Sequence, residues 1–287
     1  MELLLKWVGG KKKYCVFIHE FMLKNNIRFK NFFEPFFGSG ALTFFLMENY
    51  NDCKFVINDI NMQLINFYKN VRNNKEGLIS EIKNINSTNL NKVLYYELRK
   101  KYNSNIDKNT TESAALFYFI NKTCFNGIYR VNSRGSFNTP CGSYIDKFTI
   151  KEKKFEEFSN KLKKCRILNK NWDKAIKDSK EGDLIYLDPP YFIDSSSRFI
   201  GYTDPKFDVD SYKKMIDIIH KKTNEGVSVL LSNSNSDELL KMIIDKFGNN
   251  FFREEYNAKR TINPKVDNER KKEFIEVIYY FKGRKNG

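Results

Sequence analysis

The sequence predicts an α/β fold, with a mainly parallel sheet, an antiparallel edge at its C-terminal end and one inserted segment. Apolar runs of strand length alternate with helix-like segments before about residue 60 and again after about residue 150, as in parallel sheets. Two later runs, 251–256 and 274–280, are strand-like, and we expect them to pair antiparallel. The intervening residues 61–149 contain helix-like stretches with asparagine-rich joins, which indicates a separate insert.

The first elements are predicted to be a strand, a glycine-containing turn and a helix. The apolar segment 27–33 indicates the strand, and 41–47 indicates a buried helix. The turn contains Gly38-Ser39-Gly40, and glycines allow the backbone to approach a ligand closely. A second strand, 54–57, leads to Asp59, at roughly the 20-residue spacing that suits a carboxylate binding ribose hydroxyls.

Two interpretations of this glycine turn stay open when it is taken alone. A dinucleotide-binding turn would place a third glycine at position 43, where this chain has Thr43. A tight structural turn therefore explains the pattern as well. The acidic Asp59 and the motif further along the chain favour a nucleotide-binding turn.

The second half of the chain resumes the alternation of helices and strands. The run 226–231 is almost continuously apolar, which is typical of a strand buried in a parallel sheet. The predicted order is helix 153–164, strand 166–168, strand 183–187, helix 211–223, strand 226–231, helix 237–247 and the two final strands.

The insert is predicted to combine helices with a β-hairpin. Its helix-like stretches are 63–72, 90–102 and 113–123. Residues 129–131 and 136–138 then flank Asn132-Ser133-Arg134-Gly135, a turn sequence whose Asn and Gly tolerate positive φ. A two-stranded ribbon fits the major groove of DNA, whereas a hairpin packed on its own helices is the structural alternative.

Asp188-Pro189-Pro190-Tyr191 is the most informative stretch, because it ends strand 183–187 with a carboxylate, two rigid prolines and an aromatic ring. An exocyclic amine of a nucleobase is a poor nucleophile, since its lone pair is delocalised into the ring. The Asp188 carboxylate and the Pro189 carbonyl can each accept one of its N–H groups and direct the lone pair at an electrophilic methyl group. Tyr191 offers a face for stacking a base. A strand followed by a proline-bent loop is the alternative.

Composition agrees with a polyanionic partner but does not prove one. Fifty Lys and Arg against 35 Asp and Glu give a formal charge of +15. An AT-rich genome would also raise the lysine content. The five cysteines have no paired spacing, which favours reduced thiols in the cytoplasm. We expect no metal site, membrane span or leader peptide.

Together these segments resemble the DNA adenine-N6 methyltransferases of the Dam type, the alpha group or D12 class, over nearly the whole chain. The resemblance implies a Rossmann-like S-adenosylmethionine-dependent methyltransferase sheet. It assigns 1–60 and 150–287 to a catalytic domain and 61–149 to a DNA target-recognition domain. It rests on four motifs, which are Lys6-Trp7-Val8-Gly9-Gly10-Lys11, the turn 33–40, the segment 119–132 and Asp188 to Tyr191.

The resemblance also implies the residues that bind S-adenosyl-L-methionine and those that act on the base. Asn171-Trp172 stands where the family usually has Asp-Phe around the cofactor's adenine, and an Asn oxygen can still accept from the adenine amine. Catalysis is assigned to Asp188, Pro189, Pro190 and Tyr191. Cofactor binding is assigned to Trp7, Lys11, Phe36, Gly38, Gly40, Asp59, Asn171, Trp172 and Asp188.

Double-stranded DNA is the partner that the resemblance implies, at GATC or a related site. Arg130 would read one guanine and Lys6 the other, while Phe125 and Asn126 would fill the gap left by a displaced adenine. The remaining DNA-binding residues are Ile128, Asn132, Pro140 and Tyr144. Residues 195–199 and 202–203 would form a loop over the flipped base. We expect a monomer in solution and leave open a cognate restriction endonuclease as a functional, not physical, partner.

Other functions are weighed against this prediction. Methylation of another amine, such as cytosine N4, RNA adenine or a protein glutamine, is the nearest alternative, and the N-terminal motif with the hairpin segment argues against it. A non-catalytic DNA-binding protein on a methyltransferase scaffold is the second, and intact Asp188, Tyr191, Gly38 and Asp59 argue against that. A zinc deaminase is excluded, because Cys141 lacks the second cysteine of its motif.

Overall fold

A computed structural model describes residues 2–7, 12–86, 90–143, 145, 148–192, 207–258 and 274–284. Within them, seven strands form one sheet in the order β3-β2-β1-β4-β5-β7-β6. The strands are β1 (Asn31–Glu34), β2 (Lys54–Asn58), β3 (Cys165–Leu168), β4 (Leu184–Leu187), β5 (Ser228–Ser234), β6 (Phe252–Ala258) and β7 (Phe274–Phe281). The helices are α1 (Lys12–Lys24), α2 (Ala41–Leu46), α3 (Met62–Asn73), α4 (Lys75–Asn86), α5 (Lys92–Ser104), α6 (Thr111–Thr123), α7 (Glu152–Lys163), α8 (Trp172–Ala175), α9 (Val209–Asn224) and α10 (Asp237–Phe247), with a short 3-10 helix at Phe125–Gly127.

The predicted α/β class is confirmed, and so is the antiparallel edge. β2 pairs with β3, β1 with β4, and β4 with β5, all in parallel. β7 pairs antiparallel with both β5 and β6, and Glu276 of β7 lies opposite Ser234 and Tyr256. The last two strands of the chain thus form the antiparallel edge that their sequences predict.

The chain divides into two compact units. The first comprises residues 1–15 and 37–175, and the second comprises 16–36 and 176–287. This division describes packing, so the assignment of 61–149 to target recognition stays a prediction. All five cysteines, each within the described residues, are free thiols. In the part of the chain that the structure covers, no helix is both long and apolar enough to cross a membrane.

The first unit is organised around α6. Nearly every residue of this helix is buried, and it packs against α3, α4 and α5. A helix that is apolar on all sides must be covered on all sides, which explains this arrangement. The predicted helices correspond to α3, α5 and α6, but α4 was not predicted. Leu78 and Ile82 of α4 are fully buried.

The second unit contains β1, β4, β5, β6 and β7 with helices α9 and α10 and, from Val16 onward, α1. Side-chain caps define where its helices begin: Asp208 accepts from the Ser211 N–H, and Ser236 from the Leu239 N–H. α10 ends at Gly248, whose φ of 58° suits a helix terminus. These caps explain why the bounds of α10 agree with the prediction.

A buried carboxylate fixes the start of β4. Asp183 is 2% exposed and accepts hydrogen bonds from the Asn31 N–H, the Asn31 side-chain amide and the Lys180 N–H, at 3.2, 2.6 and 2.8 Å. It therefore ties the beginning of β1 to the loop before β4.

We predict that Asp183→Ala lowers the free energy of unfolding by about 3 kcal/mol, because three charge-assisted hydrogen bonds to an almost fully buried carboxylate are lost. Urea denaturation measures this. The control is Asp210→Ala, which removes an exposed carboxylate paired with Lys213 and should cost less than about 1 kcal/mol. Equal effects of the two changes would contradict the role of Asp183.

Candidate active site and DNA interface

The catalytic candidate lies directly after β4 in the second unit. All four residues of β4 are buried, and the next residue along the chain is Asp188. Pro189 is buried, whereas Asp188, Pro190 and Tyr191 are half-buried. Two prolines lack the N–H donors that a strand needs, so the ladder stops here. The carboxylate therefore stands at the carboxyl end of a parallel strand, where α/β proteins place their ligands.

Side chains from β5 and α9 hold the backbone of this tetrapeptide. The Phe192 N–H donates to Oδ1 of Asn233 at 2.8 Å, and Nδ2 of Asn233 donates to the Tyr212 hydroxyl at 2.7 Å. The Tyr212 hydroxyl in turn donates to the Pro190 carbonyl. The Ser234 hydroxyl donates to the Phe192 carbonyl at 3.1 Å. Hydrogen bonds from side chains thus replace the ladder that the prolines end.

The ring of Tyr191 is held from its hydroxyl end. That hydroxyl donates to Oε1 of Glu276 at 2.8 Å, and Glu276 is 7% exposed on β7.

Phe36, which the sequence assigns to the cofactor site, lies in this second unit. It packs edge-to-face on Phe207, which packs edge-to-face on Tyr212.

The glycine turn and its predicted carboxylate come together in the first unit. Gly38 is buried with φ of 50°, and its N–H donates to Oδ2 of Asp59 at 2.9 Å. Oδ1 of Asp59 accepts from the Asn61 N–H at 2.9 Å. Burial raises the pKa of the Asp59 carboxyl, and the N–H groups of Asn61, Gly38 and Ile60 oppose that rise. The Tyr68 hydroxyl donates to the Gly38 carbonyl at 3.3 Å.

Gly40 is needed for a different reason. It is buried with φ of 70°, and a Cβ placed on it would lie 2.3 Å from the ring of Phe37 and 2.7 Å from that of Phe44. Any larger residue would push these buried rings apart. Gly40 therefore shapes the turn through packing, and the neighbouring Gly38 faces Trp7.

Trp7 forms one wall beside the glycine turn. A Cβ placed on Gly38 would lie 3.0 Å from Cδ1 and Nε1 of the Trp7 indole. On its other side the indole stacks on Tyr129, with ring centroids 5.7 Å apart and an interplanar angle of 19°. The Tyr129 hydroxyl lies 3.0 Å from that of Tyr102. Tyr129 was not predicted as a site residue, because aromatic residues in a hairpin more often belong to its core.

The loop after β3 is tied to the end of β2. The Asn169 amide donates to the Asp59 carbonyl at 2.7 Å, and the Asn58 side chain is bonded in both directions to the backbone of Lys170. Asn171 is exposed and Trp172 is half-buried at the start of α8. Both thus follow a loop anchored at Asp59. The remaining cofactor candidate, Lys11, lies outside the described residues.

The predicted hairpin is present, but as isolated bridges and not as two regular strands. Cys124 pairs antiparallel with Cys141, and Val131 with Phe137. The turn is closed by the side chain of Asn132, whose Oδ1 accepts from the N–H groups of Arg134 and Ser136 at 3.0 Å. Between the two arms, the Asn132 N–H donates to the Ser136 carbonyl at 2.9 Å and the Asn138 N–H to the Arg130 carbonyl at 3.0 Å. The Ser136 N–H bonds the Asn132 side chain, which limits the regular pairing of the arms.

Most DNA-binding candidates in this segment are exposed. Nε of Arg130 donates to Oδ1 of Asn138 at 2.7 Å. Arg130 itself is exposed. Asn126 has a positive φ of 53°, a conformation that asparagine tolerates better than most residues. Phe125, Asn126, Asn132 and Pro140 are exposed, Ile128 is half-buried, and Tyr144 lies outside the described residues.

Lys6 is held against the start of this hairpin. Its N–H donates to Oδ1 of Asn121 at 2.8 Å, and Nδ2 of Asn121 donates to the Lys6 carbonyl at 2.6 Å. A Cβ on Gly127, whose φ is 66°, would lie 2.4 Å from Cβ of Lys6. Nζ of Lys6 donates to the Lys122 carbonyl at 3.1 Å. Burial, with the nearby Lys6 charge, lowers the pKa of Lys122 to about 8.

Comparison with known proteins identifies the family. The model of the D12 class N6 adenine-specific DNA methyltransferase family matches residues 7–269. The chain belongs to this family. It is similar to the type II methyltransferase M.MjaIII of Methanocaldococcus jannaschii, with 34% identity over 96% of each chain. It is also similar to the DNA adenine methylases of Vibrio cholerae, with 30% identity over 80% of each chain, and Haemophilus influenzae, with 29% identity over 98% of this chain and 94% of that one.

This DNA adenine methyltransferase is therefore an adenine-specific enzyme that acts on DNA. Sequence reasoning missed Tyr212, Asn233 and Glu276 behind the tetrapeptide after β4. No group of three or more His, Cys, Asp or Glu side chains is placed to hold a metal ion within the described residues.

We predict that Gly38→Ala displaces the Trp7 indole, because the new Cβ would lie 3.0 Å from it. Trp7 and Trp172 are the two tryptophans, so fluorescence of a Trp172→Phe background reports on Trp7 alone. The control is Gly135→Ala, where φ is 78° and no atom lies within 4 Å of the added Cβ. Both changes should cost about 1–2 kcal/mol of backbone strain. A shifted emission maximum in both variants, or in neither, would argue against the packing of Trp7 on Gly38.

Proposed function

We propose that this enzyme transfers a methyl group from S-adenosyl-L-methionine to N6 of an adenine that it turns out of duplex DNA, within GATC or a related site. S-adenosylhomocysteine is the leaving group, and the amine loses one proton. The observation that carries the proposal is the Asp188–Tyr191 tetrapeptide at the end of β4, with its backbone and its tyrosine ring held by buried side chains. Membership of an adenine-N6 family supports the choice of the amine.

Amine activation is the chemical task of the tetrapeptide. Asp188 is half-buried and follows a buried strand, which suits a carboxylate that accepts one N–H of the target amine. The Pro189 carbonyl accepts the other N–H, and the nitrogen lone pair then points at the methyl donor. Tyr191 stacks on the base, and its hydroxyl bond to Glu276 limits the rotation of the ring. Turning the base out costs roughly a few kcal/mol.

The first unit offers residues that fit an adenosyl cofactor. The Asp59 carboxylate accepts backbone N–H groups of Gly38, Ile60 and Asn61, and a carboxylate has about four acceptor positions, so capacity remains for a ribose hydroxyl. Gly38 has no side chain, so no Cβ stands between its backbone and the Trp7 indole. When bound, S-adenosylmethionine supplies a sulfonium methyl group that is electrophilic enough for direct transfer. We assign the adenine of the cofactor to Asn171 and Trp172, and the remaining contacts to Lys11, Phe36, Gly40 and Asp188.

The hairpin and the N-terminal segment are assigned to DNA. The exposed Arg130 can make a bidentate contact to guanine in the major groove. Lys6 contacts a second guanine, and the exposed Phe125 and Asn126 fill the space of the displaced base. Ile128, Asn132, Pro140 and Tyr144 complete this surface. The formal charge of +15 favours association with a polyanion. We propose a monomer, with residues 61–149 as the target-recognition domain, and a cognate restriction endonuclease as a functional partner.

Replacing Asp188 tests the chemistry. We expect Asp188→Ala to lower the rate of methyl transfer by about 100-fold or more, as when other positioned polar groups of active sites are removed. DNA and cofactor binding should both remain measurable, because the carboxylate acts mainly on the amine. Transfer of label from S-adenosylmethionine to duplex DNA measures the rate, and analysis of the product nucleoside separates adenine N6 from cytosine N4. Asp210→Ala is the control, and near-normal turnover of Asp188→Ala would overturn the assignment.

Replacing Arg130 tests the reading of the sequence. Arg130→Ala should lose about 1–3 kcal/mol of discrimination at one base pair, because a bidentate contact to guanine is removed. Arg134→Ala is the matched control, since Arg134 lies at the tip of the turn. Arg134→Ala should weaken binding to all duplexes alike. It should also lower the slope of log affinity against log salt concentration by roughly one unit. Methylation rates on GATC duplexes and on duplexes altered one pair at a time measure both. Uniform loss with Arg130→Ala would make the hairpin a backbone clamp.

A further inference from the structure

Two buried polar side chains behind the tetrapeptide have no role in the proposed chemistry. Tyr212 on α9 is 1% exposed, and Asn233 on β5 is fully buried. Buried polar groups reduce stability unless they are hydrogen-bonded, and apolar residues would fill the same space without that requirement. Both are bonded, and their bonds lead to the tetrapeptide. Their presence therefore points to a task at this segment.

The hydrogen bonds have only one possible direction. The Phe192 N–H must donate, so it takes Oδ1 of Asn233 and orients the amide. Nδ2 of Asn233 then faces the Tyr212 hydroxyl oxygen as a donor. The Tyr212 proton is consequently directed at the Pro190 carbonyl, which can only accept. One amide thus fixes both ends of the chain of bonds.

These bonds hold the two peptide groups that flank Tyr191. The Pro190 carbonyl belongs to the peptide before Tyr191, and the Phe192 N–H belongs to the peptide after it. Proline fixes its own φ but leaves ψ to its surroundings. Tyr212 and Asn233 therefore restrain the torsions that the two prolines leave open.

We propose that Tyr212 and Asn233 are positioning residues for methyl transfer, which set the orientation of the Asp188–Tyr191 backbone toward the target base. This inference rests on the function proposed above. A displacement of about 1 Å in a reacting group can cost on the order of 100-fold in rate, so a restraint on this backbone acts on the transfer step. The ring of Tyr212 is held separately, by edge-to-face packing on Phe192 and Phe207. The distances between ring centroids are 4.9 and 5.1 Å.

The test uses Tyr212→Phe, which keeps the ring packing and removes only the hydroxyl. We expect the single-turnover rate constant at saturating S-adenosylmethionine and GATC duplex to fall about 10- to 100-fold. KM for both substrates, and the Kd for duplex DNA, should stay within about twofold. Tyr280→Phe is the matched control, because Tyr280 is a buried tyrosine of the same unit whose hydroxyl lies 3.5 Å from that of Ser228. Its rate constant should remain within about twofold of wild type.

Asn233→Ala in wild-type and Tyr212→Phe backgrounds provides a second measurement. The two side chains act through one chain of bonds. The rate constant of the double variant should therefore lie within about twofold of that of the slower single variant. Thermal unfolding of each variant in the absence of substrates shows whether the chain is folded. A fully additive loss in rate would contradict a shared task.

Outcomes that overturn the inference are distinct from those that overturn the proposed function. A normal rate constant for Tyr212→Phe, an equal loss in Tyr280→Phe, or a loss confined to KM would each overturn the positioning role. If wild type methylates adenine N6 and Asp188→Ala is inactive, the proposed function stands even when this inference fails. If Asp188→Ala remains active, the proposed function itself fails.

Discussion

The two consecutive prolines after β4 are the constraint on which the rest of the second unit depends. Neither residue has an N–H, so the chain leaves the sheet at Asp188 without the bonds that would hold a strand. Side chains have to supply them, and they come from β5, α9 and β7 through Asn233, Tyr212 and Glu276. Polar residues of β5, α9 and β7 are therefore buried beside this segment. Their burial would be unfavourable without the tetrapeptide that they bond.

In the first unit, side chains likewise bond the backbone of segments outside helices and strands. The backbone leaves regular structure at Gly38, and the Asp59 carboxylate accepts the Gly38 N–H. In the N-terminal segment, the Asn121 side chain bonds both the N–H and the carbonyl of Lys6. Each of these segments carries proposed site residues. Side-chain bonds to the backbone fix such loops more firmly than solvent would, because a buried polar group without a partner costs about 1–3 kcal/mol.

Local pattern was enough to predict most of the fold and the motifs of the site. The tetrapeptide, the glycine turn and the β6–β7 pair each depend on neighbouring residues or on strand-like runs. Helix α4 was missed. The partners of the tetrapeptide were missed as well. Tyr212, Asn233 and Glu276 lie 22, 41 and 85 positions from the residues that they bond, and a tyrosine on an amphipathic helix has the pattern of a core residue.

Adjacent residues in the first unit serve different proposed sites, which links those sites physically. Lys6 is bonded to Asn121 beside the hairpin, while its neighbour Trp7 packs on Gly38 and stacks on Tyr129. Tyr129 in turn directly precedes the exposed Arg130. The indole beside the glycine turn is thus joined, through one stacked ring, to the residue next to the proposed guanine contact. The proposed cofactor site and the proposed DNA-reading site therefore share these short segments.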